Sequence, residues 1–472
     1  MAKLAGTGQA AAILLPAALV VLAIVVLRPE LLLLAIFTTL VLLELSESGP
    51  ATLNSLSALY YHSVGKGLTV MNLFFMVLVL AVAFSVYRRR RTLLFAGPLS
   101  PALSLLTAAT IGGAVTAHFA GIGSKAIFEP VVTLAPLILL PILVVNIAQE
   151  RDLLKIMLPL IGVLAGEKAL VGLWLALTGK GSPVDGHSAT YLEPSANWIN
   201  LLVLLVLIAA ALRHVRLPLW AWALAPLAIA ELAFSYRRGF WLGVISGVVL
   251  VVLLASGSRG RRVVIPTVVL IAVVSWLGLM SLGAGAAGSD PVIKRLESLQ
   301  PSKLGLNVQD RYRLDERRNV IANLKEHPIT GLGIQVPWVA PYPLSVQHKG
   351  DRTYTHIIVL WYWLNLGLLG VIAYVTLMIS AIGTAFLVWR RHASELVRCA
   401  ALGLMATLVG SIAVETTGSF LGVDVRFTIV LGVILGLLVT AYFETLGSPL
   451  RLRTNPRSSP MSSARRAISS AG

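Results

Sequence analysis

Phe234-Ser235-Tyr236-Arg237-Arg238-Gly239-Phe240-Trp241 sets two adjacent arginines between two strongly apolar runs, with almost no connecting loop. At a bilayer centre each arginine would cost roughly 2.5–3.5 kcal/mol, so a pair this close to hydrocarbon needs a compensating role. The rest of the chain places the flanking runs in hydrocarbon. Of its 472 residues, 57% are hydrophobic and only 12% charged, with a mean hydropathy of +0.84. A soluble domain carries about twice that charged fraction. Runs long enough to span a bilayer, about 20 residues each, recur almost from end to end.

Outward from the arginine turn, the runs fall near residues 8–27, 31–45, 69–87, 100–119, 130–147, 154–178, 197–212, 217–234, 240–256, 263–283, 357–388, 399–420 and 425–445. This is the pattern of an all-α polytopic membrane protein with about 12 (12–13) transmembrane helices and one large periplasmic loop containing short helices. Residues 1–283 hold the first ten helices, 284–355 the loop, 356–446 the C-terminal helices and 447–472 a basic cytoplasmic tail. The run at 31–45 is short for a span, so Met1 lies inside with twelve spans and outside with thirteen. The run after Met1-Ala2-Lys3 is too long for the apolar core of a cleavable signal and reads as a first span.

Charge orients these helices. The segments Arg88–Arg91, Arg213–Arg216, Ser258–Arg262, Arg390–Arg398 and Arg451–Arg466 carry +4, +2, +3, +2 and +5, and the loop Glu150–Lys155 is neutral. These segments fall at alternate ends of successive helices, as expected of cytoplasmic connections. Together they hold sixteen of the net +17, so the basic balance is topology and calls for no nucleic-acid partner. Cys399 is the only cysteine, which excludes a disulfide framework, and no metal ligand set or cofactor motif is present. Arg237 and Arg238 are then the one basic cluster in a short outward connection.

Other polar side chains gather at the same outward level. They are Glu231, Glu415 near the end of the next-to-last helix, Asp424 and Arg426 at the last outer turn, and His356 at the start of a helix. Charges on several helices at one depth suggest a shared polar cavity, although single rim charges also snorkel to headgroups. A guanidinium's planar fork matches a phosphate or diphosphate bidentately and keeps its charge in apolar surroundings. An imidazole can take a proton at neutral pH, as activation of a hydroxyl requires. Within the loop, Asp310–Glu326 suits a helix with a partial apolar stripe of Leu314, Ile321 and Leu324, ended by His327-Pro328.

The residues Arg238-Gly239-Phe240-Trp241-Leu242-Gly243, then Arg313 ahead of Lys325-Glu326-His327-Pro328, then Gly331-Leu332-Gly333, then His356 ahead of Gly367-Leu368-Leu369-Gly370, follow one another in an order that resembles the O-antigen ligase and polymerase superfamily. The resemblance covers about residues 230–445; the first half shares only hydropathy. It implies a metal-independent glycosyltransferase of the bacterial inner (cytoplasmic) membrane with its active site facing the periplasm. The donor would be a glycan on a polyprenyl (undecaprenyl) diphosphate and the acceptor a sugar hydroxyl of lipid A core. Carried over, Arg238 holds the diphosphate with Arg237 in support, Arg313 adds a second phosphate contact with Arg311 as its rival, and His356 deprotonates the acceptor. Two departures stand out. Many members have Asn after this histidine, where this chain has Ile357, and an earlier outer-loop pattern is matched only loosely around His187 and Glu193-Pro194. A polymerase or a protein oligosaccharyltransferase would use the same donor site. A transporter, the reading from another class, predicts matching halves and midplane charges, for which only Glu167 and Lys168 offer themselves.

Overall fold

The computed structural model describes residues 28–42, 63–65, 68–184, 187–190, 194–256, 308–344, 352–415 and 424–447. Along the chain run α1 (Pro29–Leu42), the ribbon β1 (Ser63–Gly65) with β2 (Leu68–Thr69), α2 (Val70–Arg88), a short 3-10 turn Gly97–Leu99 leading into α3 (Ser100–Phe119), α4 (Ser124–Ala148) and α5 (Leu153–Leu177). After the ribbon β3 (Ser182–Val184) with β4 (His187–Ala189) come α6 (Pro194–Leu212), α7 (Leu219–Phe234), α8 (Arg238–Ala255), α9 (Val308–Glu326), α10 (Ile358–Arg391), α11 (Glu395–Glu415) and α12 (Val425–Thr445). Among the described residues, nine helices are long and apolar enough to cross a membrane, and α1 and α7 are apolar but shorter. The chain is thus a mostly helical, multi-pass membrane protein. The expected spans 8–27 and 263–283 and the tail lie outside the described residues.

Every backbone donor and acceptor in hydrocarbon must be satisfied within its own segment, which leaves helices as the form these apolar runs can take. Two of them form the centre: α12 is buried without interruption from Arg426 to Ala441, and α6 from Pro194 to Leu205. Gly432 and Gly436 of α12 share one face, and a Cβ at Gly432 would lie 2.9 Å from the Pro136 carbonyl of α4. Small residues four apart permit this backbone approach where the hydrophobic effect does not drive helices together. At the periphery, Leu80, Ile111 and Ile245 stand exposed on α2, α3 and α8, as lipid-facing side chains should.

One end of the bundle collects the described basic segments, 88–91, 213–216 and 390–398, and acidic partners meet them there, whereas 258–262 and 451–466 lie outside the described residues. Glu150 pairs with Arg89 at 2.9 Å and Arg91 at 3.5 Å, Glu30 with Arg151 at 3.0 Å, and Glu395 with Arg213 at 2.9 Å and with Arg398. Connections from the first and second halves of the chain therefore share a face, as the alternation of charge requires. The two pairs on the half-exposed Glu395 contribute little each, about 0–1 kcal/mol, whereas Glu30 and Glu150 are largely shielded from water.

At the opposite end, α9 and the segment behind it form a small cap. Asn319 and Asn323, one helical turn apart, each bond a backbone N–H and C=O: Asn319 those of Tyr342 (2.8 and 3.2 Å), Asn323 those of Val339 (2.9 and 2.7 Å). Val320, Leu324 and Trp338 close a core on Leu360 and Leu364 of α10. Here the expected stripe is corrected: Leu314 is 52% exposed, whereas Val320 is fully buried. The inward face of α9 is built largely from hydrogen-bonded polar residues, which an apolar periodicity does not register.

α10 is not continuous. Gly367 has φ 70° and ψ −169°, so its first nine residues, 358–366, form a separate helix across a kink. The break frees the Leu364 carbonyl, which accepts from Leu332 N (2.8 Å) and Gly333 N (3.2 Å), and Leu368 N finds the Ile329 carbonyl at 2.8 Å. The Gly331-Leu332-Gly333 and Gly367 motifs thus clasp two backbones. A Cβ on Gly331 would meet the Trp363 carbonyl and lie 2.6 Å from that of Leu364.

Candidate active site at the capped end

The arginine turn is closed by its own neighbours. Ser235 Oγ donates to the Leu232 carbonyl at 2.7 Å and accepts from Arg237 N at 3.3 Å. Tyr236 takes φ 51°, a left-handed conformation uncommon outside glycine. The indole Nε1 of Trp241 donates to the same Leu232 carbonyl at 3.0 Å, stapling the first turn of α8 to the last turn of α7. Arg238 therefore opens α8, half-buried, at the positive end of its dipole, a setting that favours an anion. Replacing Trp241 by Phe keeps the ring and removes the staple; the expected loss is about 0.5–1.5 kcal/mol, read as a lower melting temperature in detergent.

Glu231, fully buried in α7, has Thr190 Oγ1 3.5 Å from its Oε1 and lies within Coulombic reach of Arg237 and of Lys168, itself 2% exposed. Thr190 N also donates to the Phe234 carbonyl at 3.1 Å, so the segment after β4 seals this turn. His187 opens β4 opposite Val184. Lys168 thus serves a buried carboxylate on a neighbouring helix.

A second group surrounds His356. Its Nδ1 lies 3.1 and 3.2 Å from the two carboxylate oxygens of Glu316, and its backbone N donates to Glu316 Oε2 at 2.9 Å. Glu316 is 1% exposed and comes from α9, forty residues earlier. The Tyr354 ring stands edge-on at 4.9 Å and that of Tyr312 at 6.0 Å. Burial, and then the Glu316 carboxylate, push the Tyr312 phenol above its usual range, with Arg352 pulling the other way, so it remains a neutral hydrogen-bond donor. Arg313 is half-buried and Arg311 exposed. At 3.6 residues per turn, Arg313 lies about 60° around α9 from Glu316 and Arg311 about 140°.

The remaining polar residues form a third group. Asp424 caps α12, accepting from Arg426 N at 2.9 Å and Phe427 N at 3.4 Å. The buried Arg426 reaches Asp424 at 3.6 Å. Glu415 lies within electrostatic range of Tyr362 and Tyr374 of α10. These side chains, expected as lining of one shared cavity, make the contacts given above within three groups. Glu316 was missed because Asp315-Glu316-Arg317-Arg318 reads as a solvated charged face; no signal in a single sequence marks its second residue as buried.

No curated protein matches the chain. Residues 223–375 match the family model described as O-antigen ligase, a stretch that contains the arginine turn, α9, the glycine clasp and His356. The order of motifs and this match agree, and residues 223–375 carry the domain of the O-antigen ligase and polymerase superfamily.

Proposed function

We propose that this membrane glycosyltransferase-like enzyme moves a glycan from a polyprenyl (undecaprenyl) diphosphate to a sugar hydroxyl of lipid A core. In this reading the capped end faces the periplasm of the bacterial inner membrane. What carries it is the placement, inside the matched domain, of a quarter-exposed imidazole held by α9, the helix that bears Arg313.

Arg238 binds the donor diphosphate at the start of α8, and Arg313 adds a contact from the cap. As the anomeric bond breaks, negative charge grows on the leaving diphosphate, and fixed guanidinium groups stabilise it without reorganising. His356 Nε2 takes the proton of the acceptor hydroxyl as its oxygen attacks the anomeric carbon. The place of Arg238 at the positive end of the α8 dipole supports it as the ligand, and the helical position of Arg313 supports it over Arg311.

The test offers purified lipid-linked donor to lipid A core, to a second donor and to a protein acceptor. Transfer to lipid A core is expected. Growth of a polymer on the lipid carrier, or transfer to protein only, would overturn the ligase assignment. Arg238→Ala and Arg313→Ala should each lower transfer by about 10²-fold or more, on the scale of losing one donor to a developing charge; Arg311→Ala should do so by much less. Equal losses for Arg311 and Arg313 would contradict the assignment.

A further inference from the structure

We propose that Glu316 is the positioning residue of the reaction, acting through His356; this rests on the proposed role of His356 as base. Neither the motif order nor the family match assigns a function to this carboxylate.

A neutral imidazole carries its proton on one nitrogen only, and a base must present the other, bare nitrogen to the hydroxyl. Both oxygens of Glu316 face Nδ1, at 3.1 and 3.2 Å. An ionised carboxylate can only accept, so this arrangement puts the proton on Nδ1 and the lone pair on Nε2. The same carboxylate accepts the backbone N–H of His356 at 2.9 Å, which fixes the main chain as well as the ring. At 1% exposure Glu316 is shielded from water that would compete for these bonds, and the Tyr312 and Tyr354 rings stand edge-on to the imidazole. When the acceptor O–H proton moves to Nε2, the acceptor oxygen forms its bond to the anomeric carbon. The bond from that carbon to the diphosphate oxygen breaks, and its electron pair leaves with the lipid diphosphate. Glu316 stays ionised throughout and stabilises the imidazolium that forms. Such a carboxylate–imidazole pair, with the carboxylate orienting the ring and not itself taking the proton, recurs on unrelated folds.

The test measures the tautomer directly and the kinetics separately. Full-length protein labelled with ¹⁵N-histidine, in nanodiscs, should report the Nδ1–H tautomer for the resonance that His356→Asn removes. In Glu316→Gln, oxygen at the Oε2 position keeps the backbone N–H and still lies 3.1 Å from Nδ1, while an NH₂ replaces Oε1 at 3.2 Å and sets a donor beside the same ring nitrogen. The Nε2–H form should then rise and kcat fall by about 10²- to 10⁴-fold, with the donor KM little changed. Glu316→Ala should give mixed tautomers and a comparable loss of kcat. An Nε2–H tautomer in the native protein, or one unaltered in both variants, would overturn the positioning role whatever the activity. If instead His356→Asn stays active while the tautomer shifts as described, the base assignment fails and the orienting contact stands.

Discussion

Replacing His356 by alanine is expected to lower kcat for glycan transfer by about 10²- to 10⁴-fold, the usual contribution of a positioned general base. The measurement needs two variants, because alanine also removes the ring from a buried carboxylate. Glu316 would keep its bond to the backbone of residue 356 but lose its ring partner, which should destabilise the cap by about 1–3 kcal/mol. Asparagine can place an N–H near the position of Nδ1 and has no basic nitrogen. His356→Asn should therefore be as inactive as His356→Ala while melting closer to the native protein. If either variant transferred glycan at the native rate, His356 would not be the base.

Gly367→Ala is expected to have the largest effect on stability, roughly 3 kcal/mol or more. The φ 70°, ψ −169° conformation is essentially restricted to glycine, and forcing another residue into it costs about 1–3 kcal/mol. The added Cβ would also meet the Ile329 carbonyl and lie 2.8 Å from that of Thr330, so the clasp must open. Opening it removes the partners of Leu332 N, Gly333 N and Leu368 N together. The expected result is a clear drop in melting temperature with early hydrogen exchange at residues 329–333. Gly383→Ala is the control, since a Cβ there meets nothing within 4 Å in the same helix. Equal melting temperatures for the two variants would show that the clasp contributes little.

Hydropathy made most of the membrane part legible: each expected span among the described residues coincides with a helix, because twenty apolar residues in hydrocarbon have few alternatives. Charge alternation matched the ends at which Arg89, Arg213 and Arg398 meet their acids. The residues that the sequence singled out by chemistry are those that are rare in their place, as with Arg238 in a turn between two apolar helices and His356 before a helix. The candidate site was illegible where burial is decided by tertiary packing. Glu316, Asn319 and Asn323 are polar, locally unremarkable and almost fully buried. The nearness of Lys168 to Glu231 likewise joins residues on different helices, which no spacing rule connects. The Gly331-Leu332-Gly333 and Gly367 motifs used to read the resemblance turned out to be backbone contacts that clasp the segment after α9 to α10.

The interruption at Gly367 also divides α10 into a membrane-length helix and a short helix under the cap. At 1.5 Å per residue, an unbroken α10 of 34 residues would be about 51 Å long, well beyond the roughly 30 Å of hydrocarbon. Residues 368–391 alone supply about 36 Å, enough to cross with modest tilt. A straight continuation would carry residue 356 about 16 Å beyond Gly367 along the axis. Because the clasp bonds both sides of the kink, through the Leu364 carbonyl and the Leu368 N–H, the short helix and the membrane-length part of α10 are held together through residues 329–333. A bilayer of different thickness should therefore tilt residues 368–391 and the cap as one piece.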